Sequence, residues 1–423
     1  MGTFRTFLTT ALALAGALGL AGSARADFAI NFVIDPYVAG VGDSWFFGIN
    51  NQGQATGYTA TTVGGNFVQA PVIYQNGTIR NLAPAAPYSS DYSANAGAAI
   101  NNRGDVAGST GGQPTYFAAG GVNTPIVLPA DLFGTGGPTP GESAVTGSSI
   151  VRGLNDSGTV LLNVGPGNFP GPAPFSERYG LWNSGTFTTL TALDGFFPFA
   201  STPDTFTLGY SASITGLNNA NQFAATVVNG TFDFDFNPTT APSQSSFYYD
   251  GTTGTYSLLQ PRVSGDALEV LSMSEDGSAL GWSGNRLVTW NPDGTIRSVL
   301  PDPSPGIRLR RNGAFGYGSA YRNNLGEVVA VTTAGGAAIY SPATSSWRNI
   351  TREIAGRGTG RIQNVQGFND HQQFVGLATP PLGGLGGVRG YVVSPTPLPP
   401  TVLGAGVGAL LLAARRLRRG PAA

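Results

Sequence analysis

The sequence predicts an all-β fold, a repeat-built β-propeller of seven four-stranded blades, from three observations. A turn motif recurs seven times, at intervals of 46 to 63 residues. The chain is rich in residues that form turns, with 63 Gly and 30 Pro among 423 residues. Its 24 Phe and 15 Tyr are spread along the chain, which argues against disorder. Together these features are typical of many short strands joined by tight turns.

The recurring motif predicts a hairpin turn followed by a strand. Its clearest copies are residues 49–57 (INNQGQATG) and 100–108 (INNRGDVAG). Asn, Asp and Gly tolerate left-handed backbone angles, so Asn-Asn-x-Gly favours a tight turn between two strands. An apolar residue precedes the turn in every copy except the sixth, where Arg322 stands. Weaker copies of the motif begin at Asn155, Asn218, Ser274, Asn323 and Asn369.

A second element follows the turn motif and completes a unit of four strands. An aromatic strand leads through a turn to a strand that carries Leu or Ile, as in residues 72–82 and 247–258. Four short strands in ~50 residues, repeated along the chain, are typical of a β-propeller. A β-solenoid is the alternative architecture, although ~50 residues would be long for one coil.

The last unit predicts how the ring of blades closes. Residues 390–393 (GYVV) form its aromatic strand, and no Leu-bearing strand follows them before the prolines. Residues 28–34 (FAINFVI) lie before the first unit with no partner of their own. We expect this N-terminal strand to complete the last blade, because that closure removes two open sheet edges.

The repeat resembles the HAF repeat of extracellular bacterial proteins, whose signature is Ile-Asn-Asn-x-Gly-x-Val-x-Gly. The copies at residues 49–57 and 100–108 match this signature well, and the copy at Ser274 matches it poorly. The resemblance implies secretion and a propeller-like fold, and it implies no defined reaction.

The N-terminus, residues 1–26, has the parts of a signal peptide. Arg5 gives a positive start, an apolar stretch follows, and Ala24 and Ala26 are the small residues that a signal peptidase requires. We therefore expect cleavage before Asp27 and export of the chain. The alternative is an uncleaved N-terminal membrane anchor.

The C-terminal segment, residues 395–423, predicts a Pro-rich linker, a short hydrophobic helix over residues 402–414 and an Arg-rich end. The apolar stretch is shorter than the ~20 residues that span a bilayer straight. This layout resembles the PEP-CTERM sorting signal of exopolysaccharide-producing Gram-negative bacteria. Pro397, Leu398 and Pro399 stand where that signal has Pro-Glu-Pro. The arginine cluster consists of Arg415, Arg416, Arg418 and Arg419.

The sorting-signal resemblance implies processing by an exosortase-type enzyme. It also implies membrane attachment through the tail before processing, and a final place at the outer surface or in the extracellular matrix. A plain tail anchor, with the arginines on the cytoplasmic side, is the alternative. Between the two ends lies the predicted propeller domain, residues 27–394.

Composition disfavours several classes of function. The sequence has no Cys and a single His, so we expect no disulfide framework, no thiol chemistry, no zinc site of the usual ligands and no cofactor. All 22 cationic residues are Arg, and the predicted propeller domain holds 16 of them against 23 acidic residues. This acidic balance disfavours a nucleic-acid partner.

Two acidic residues and the single histidine are candidates for catalysis or metal binding. Asp233 and Asp235 alternate along a Phe-rich segment, and paired carboxylates hold calcium or act in glycosidases. The alternative is a solvated strand face. His371 lies in a repeat turn, and no Gly-x-Ser-x-Gly motif accompanies it, so we expect a turn residue.

A basic group is the candidate for binding anionic polysaccharide. It consists of Arg308, Arg310 and Arg311, with Arg322 nearby in the sequence. The alternative is a solvated blade edge.

These observations favour an exported, non-catalytic protein of the cell surface or extracellular matrix. We expect one face of its propeller to bind glycan or another envelope component. The alternative is a secreted carbohydrate-active hydrolase or lyase that uses carboxylates such as Asp233 and Asp235 in the central funnel. A purely structural role without a ligand is a third interpretation.

Overall fold

The computed structural model describes most of the predicted propeller domain. The described residues are 28–32, 44–63, 66–87, 95–129, 149–164, 178–197, 199–201, 205–233, 238–311, 318–355, 361–379 and 389–395. The predicted cleavage site (Ala24, Ala26, Asp27), the whole segment from 396 onward with its predicted helix and its arginines, and Asp235 lie outside them. Within the described residues, no helix is both long and apolar enough to cross a bilayer.

The described strands form seven sheets, and each sheet is one blade of a β-propeller. All strand pairs are antiparallel except the short parallel pair of Phe28–Phe32 and Ile354–Ala355 in the last blade. The first strand, β1 (Phe28–Phe32), belongs to the last blade. Blade 1 contains β2 (Ser44–Ile49), β3 (Ala55–Val63), β4 (Asn66–Gln75) and β5 (Thr78–Asn81), with β6 (Ala86–Pro87) beside β4. Blade 2 contains β7 (Gly97–Ile100), β8 (Val106–Thr110), β9 (Gln113–Phe117) and β10 (Asn123–Pro125). Blade 3 contains β11 (Ser149–Leu154), β12 (Val160–Val164), β13 (Arg178–Asn183) and β14 (Thr186–Thr189).

A short 3-10 helix, Thr191–Phe196, leads from blade 3 into the second half of the ring. Blade 4 contains β15 (Phe199–Ser201), β16 (Thr205–Ile214), β17 (Phe223–Asp233), β18 (Ser243–Asp250) and β19 (Thr255–Leu258). Blade 5 contains β20 (Leu268–Met273), β21 (Ala279–Ser283), β22 (Arg286–Trp290) and β23 (Ile296–Val299). Blade 6 contains β24 (Ala320–Arg322), β25 (Val328–Val331), β26 (Ala337–Ser341) and β27 (Ser346–Asn349). Blade 7 contains β28 (Ile354–Ala355), β29 (Arg361–Ile362), β30 (Gly367–Phe368), β31 (Phe374–Thr379), β32 (Arg389–Pro395) and β1.

The predicted all-β propeller and its number of blades are confirmed. In each blade the strand that precedes the repeat turn lines a central channel, and the turn joins it to the next strand. Because consecutive strands are antiparallel, the repeat turns all lie at one end of the blades, which we name the turn face. The connections from the second to the third strand and from one blade to the next lie at the opposite end, which we name the loop face.

A β-bulge in the channel-lining strand explains why the repeat ends in a small residue. The register of that strand shifts by one residue in five blades, and the extra residues are Phe47, Ala98, Arg152, Ala212 and Leu271. The bulge brings the backbone of the first strand against the second strand. A Cβ atom on Gly57 would lie 1.7 Å from the carbonyl oxygen of Trp45, so this position accepts glycine only.

The predicted closure of the ring by the N-terminal strand is also confirmed. β1 pairs antiparallel with β32, from Phe28 opposite Pro395 to Phe32 opposite Tyr391. The short strand β28 continues the sheet on the other side of β1. The Phe28 side chain is fully buried, in one core cluster with Tyr391 and Val393. The last blade therefore joins the two ends of the described chain.

Candidate functional site

The asparagine of the repeat motif joins a blade to the next at six of the seven interfaces. Its Oδ1 accepts hydrogen bonds from backbone N–H groups in its own turn, as Asn101 does from Arg103 and Asp105. Its Nδ2 donates to the carbonyl oxygen of the equivalent residue in the next blade. These donations run from Asn50 to Asn101 (2.9 Å), Asn101 to Asn155 (3.0 Å), Asn155 to Asn218 (3.2 Å), Asn218 to Ser274 (3.2 Å), Asn323 to Asn369 (3.2 Å) and Asn369 to Asn50 (2.8 Å). We name this set the asparagine ring.

The residue after each of these positions forms a second ring, which closes completely. Its backbone N–H donates to the side-chain oxygen of the equivalent residue in the next blade, at 2.7–3.2 Å. The members, in order, are Asn51, Asn102, Asp156, Asn219, Glu275, Asn324 and Asp370, which returns to Asn51. No two carboxylates are neighbours in this ring, so every carboxylate lies between two amides. That order limits repulsion between like charges.

The carboxylates of the second ring differ in their proton affinity. Burial opposes ionisation of Asp156, but hydrogen bonds from Asn102 and Asn219 outweigh it and lower the Asp156 pKa. Burial raises the pKa of Glu275, and the charges of Asp156 and Asp370 act in the same direction. Glu275 is therefore the ring member that most readily takes up a proton.

Ser274 and Arg322, the two residues that depart from the repeat motif, lie at the same interface between blades. Ser274 has no side-chain amide to donate to blade 6, and Arg322 of blade 6 donates in the opposite direction. Its guanidinium contacts Ser274 Oγ at 2.8 Å, both carboxylate oxygens of Asp276 at 3.1 and 3.3 Å, and Ser278 Oγ. Burial opposes ionisation of Asp276, but hydrogen bonds from Arg322 and Ser278 outweigh it and hold its pKa well below the usual range. An ion pair thus replaces the amide link between blades 5 and 6.

The central channel encloses a cavity of about 530 Å³ lined by all seven blades. Among the described residues that line it, Arg152, Ser213 and Gln366 each have one buried polar side-chain atom without a hydrogen-bond partner, namely Nε, Oγ and Nε2. Glu269 also lines it, and burial raises the Glu269 pKa against the opposing charge of Arg311. Buried polar groups in proteins nearly always have partners. This channel therefore offers hydrogen-bonding groups to a polar ligand.

A second cavity, of about 350 Å³, lies between blades 5 and 6 at the loop face. Trp282 and Trp347 form its apolar base, and Arg286, Arg308 and Arg311 line it. We name this cavity the basic cleft. Asp302 is also part of its wall and forms an ion pair with Arg286.

The structure places the arginines of the predicted basic group at different sites. Arg308 and Arg311 line the basic cleft, whereas Arg310 donates to the backbone and side chain of Gln363. Arg322 ends β24 at the turn face, so its proximity in sequence does not bring it to the cleft. Arg286 joins the cleft instead, because the turn between β21 and β22 lies at the loop face.

The remaining sequence candidates lie apart from both cavities. Asp233 ends β17 opposite Thr205 at the loop face, and its predicted partner Asp235 lies outside the described residues. His371 lies in the repeat turn of blade 7, where its N–H donates to Asn369 Oδ1. No group of three or more His, Cys, Asp or Glu side chains in the described part of the chain is placed to hold a metal ion.

Sequence reasoning missed Arg152, Glu269 and Gln366 as channel residues. The bulge that places Arg152 in the channel has no signature in the repeat motif. Arg286, by contrast, had a usable signal, because Ser-Gly-Asn-Arg at residues 283–286 is a turn pattern between two predicted strands.

Comparisons with solved structures find other propellers at very low sequence identity. "YCF48 bound to D1 peptide" is 10% identical with a TM-score of 0.44, covering 88% of this chain and 97% of that chain. "Oligogalacturonate lyase in complex with manganese" is 7% identical with a TM-score of 0.46, covering 89% and 98%. The propeller domain of the Trilobed protease from Pyrococcus furiosus is 11% identical with a TM-score of 0.43, covering 82% and 95%. No protein-family model matches the sequence. No curated protein matches it significantly.

Proposed function

We propose that the chain is an exported, non-catalytic protein of the cell surface or extracellular matrix that binds a glycan in its central channel. The observation that carries this proposal is the set of buried, unpartnered polar atoms on Arg152, Ser213 and Gln366. A saccharide has many hydroxyl groups that both donate and accept hydrogen bonds, so it suits such a mixed lining. The cavity volume also falls within the range of small-ligand sites, about 300–1,000 Å³.

A binding role is favoured over catalysis because the polar side chains of the turn face form hydrogen bonds between blades. The amides and carboxylates of both rings are engaged in hydrogen bonds between blades, as between Asn102 and Asp156. Groups held in this way stabilise the ring of blades. The single histidine is engaged in its own turn through its backbone.

Binding in the channel is tested with the purified chain and the Arg152→Gln variant. We expect the parent to bind soluble glycans in calorimetry and the variant to bind about tenfold less tightly, because a charge-assisted hydrogen bond is lost. Arg297→Gln is the matched control, since Arg297 is 44% exposed at the turn face. Equal affinity of the parent and Arg152→Gln would refute the channel as the site. Release of new sugar ends by the parent, abolished in Asp233→Asn, would instead establish the hydrolase or lyase alternative.

Export and sorting are tested by the intact mass of the protein recovered from its native envelope. A mass that runs from Asp27 to a residue near Pro399 is expected if signal peptidase and an exosortase-type enzyme both act. A mass that retains Arg415 and Arg416 would mean that the tail stays in place as an anchor.

A further inference from the structure

The basic cleft is built on a rigid frame. Its segment at residues 307–311 runs along β25, where the Arg310 N–H donates to the Val331 carbonyl and the Thr333 N–H donates to the Arg308 carbonyl, both at 2.8 Å. Leu309 forms an isolated β-bridge with Thr332. Groups fixed in this way lose little freedom when a ligand binds, which favours affinity.

Alternating side chains along this segment divide between the core and the surface. Ile307 and Leu309 pack against the apolar core between blades 5 and 6. Arg308, between them, is exposed. The segment therefore uses its apolar residues as anchors and presents a guanidinium at the cleft.

The side chains that line the cleft carry a net positive charge. Arg286 is paired with Asp302. Arg311 reaches the Ala267 carbonyl at 3.5 Å and is close enough to Glu269 for the two charges to interact. The Arg308 guanidinium makes no hydrogen bond or ion pair with any described residue.

We infer that the basic cleft binds the carboxylates of an acidic polysaccharide. Guanidinium groups bind carboxylates through two parallel hydrogen bonds, and two such groups at one cleft suit a polymer with a carboxylate on successive sugars. This inference rests on the proposed glycan-binding function and specifies the chemical class of the glycan.

The experiment compares binding of the full chain to alginate, a polymer of uronates, and to dextran, which is neutral. We expect the parent to bind alginate, and the double variant R308Q/R311Q to bind it at least tenfold less tightly. The control R103Q/R297Q removes the same charge from the turn face, where the two side chains are 52% and 44% exposed. We expect this control to bind alginate as the parent does.

The outcomes separate this inference from the proposed function. Loss of alginate binding in R308Q/R311Q, with the control unaffected, supports the cleft. Equal loss in both double variants would mean that net charge alone drives binding, and it would overturn the cleft as a site. Binding of dextran but not alginate, weakened by Arg152→Gln, would overturn the inference and leave the channel function intact. Binding of neither polymer nor any other glycan would overturn both.

Discussion

The ion pair between blades 5 and 6 makes the most specific prediction about stability. Arg322→Met keeps most of the side-chain volume but removes the hydrogen bonds to Ser274, Asp276 and Ser278. Arg322 is only 12% exposed and Asp276 is 35% exposed. A hydrogen bond to a charged group contributes about 1.5–3 kcal/mol, and partial exposure of Asp276 reduces that value. We expect the free energy of unfolding to fall by about 2–3 kcal/mol.

A control and a rescue make this prediction sharper. Arg297→Met removes the other arginine that contacts Asp276, but this side chain is 44% exposed, so we expect a loss below ~1 kcal/mol. Ser274→Asn added to Arg322→Met restores the amide that the other blades use, with the Asn323 carbonyl as its acceptor. We expect this double variant to regain about 1 kcal/mol over Arg322→Met alone.

The assay is equilibrium unfolding in urea, followed by tryptophan fluorescence, at pH 7 and pH 4. The deficit of Arg322→Met should persist at pH 4, because the pKa of Asp276 lies well below its usual range and the ion pair is still formed there. If Arg322→Met is no less stable than Arg297→Met, the ion pair does not join the blades. If Ser274→Asn recovers nothing, the two exceptions in the repeat are unrelated.

Three further predictions concern the second ring and the closing strand. Glu275→Gln should raise the thermal midpoint at pH 7, because a raised pKa in the folded state means that the ionised carboxylate destabilises the fold. This gain should vanish near pH 3.5, where the carboxyl is protonated in both the folded and the unfolded state. Asp156→Asn should lower the midpoint at pH 7, since a lowered pKa stabilises the fold above about pH 4, and the same sign for both variants would contradict the ring electrostatics. Phe28→Ala should cost about 3–5 kcal/mol in urea unfolding because its side chain is fully buried in the last blade. A loss below ~1 kcal/mol there would mean that β1 does not hold the ring closed.

The architecture was predictable because its signals are local. Asn and Gly at residues 101 and 104 determine a turn by their own backbone preferences, so the sequence shows each turn and the interval between turns. The last blade lacked one strand in the sequence pattern, and the strand that begins at Phe28 lacked a partner. Pairing the two was predictable because it removes two open sheet edges.

Contacts between blades were not predictable, since their partners are far apart in sequence. Asn101 donates to a carbonyl 54 residues away, and nothing in either copy of the motif identifies the partner. Ser274 and Arg322 were visible as departures from the repeat, but only the fold brings them together. The channel position of Arg152 depends on a bulge, and Arg286 reaches the basic cleft only because blades 5 and 6 are adjacent.

The closing blade also determines at which face of the propeller the described chain ends. Pro395 pairs with Phe28 beside the repeat turn of blade 7, so the chain leaves the propeller at the turn face on its way to the segment from residue 396. A tether attached through that segment would hold the turn face toward its support. The loop face, with the basic cleft, would then project outward, and neighbouring molecules on one surface would display their clefts in the same direction.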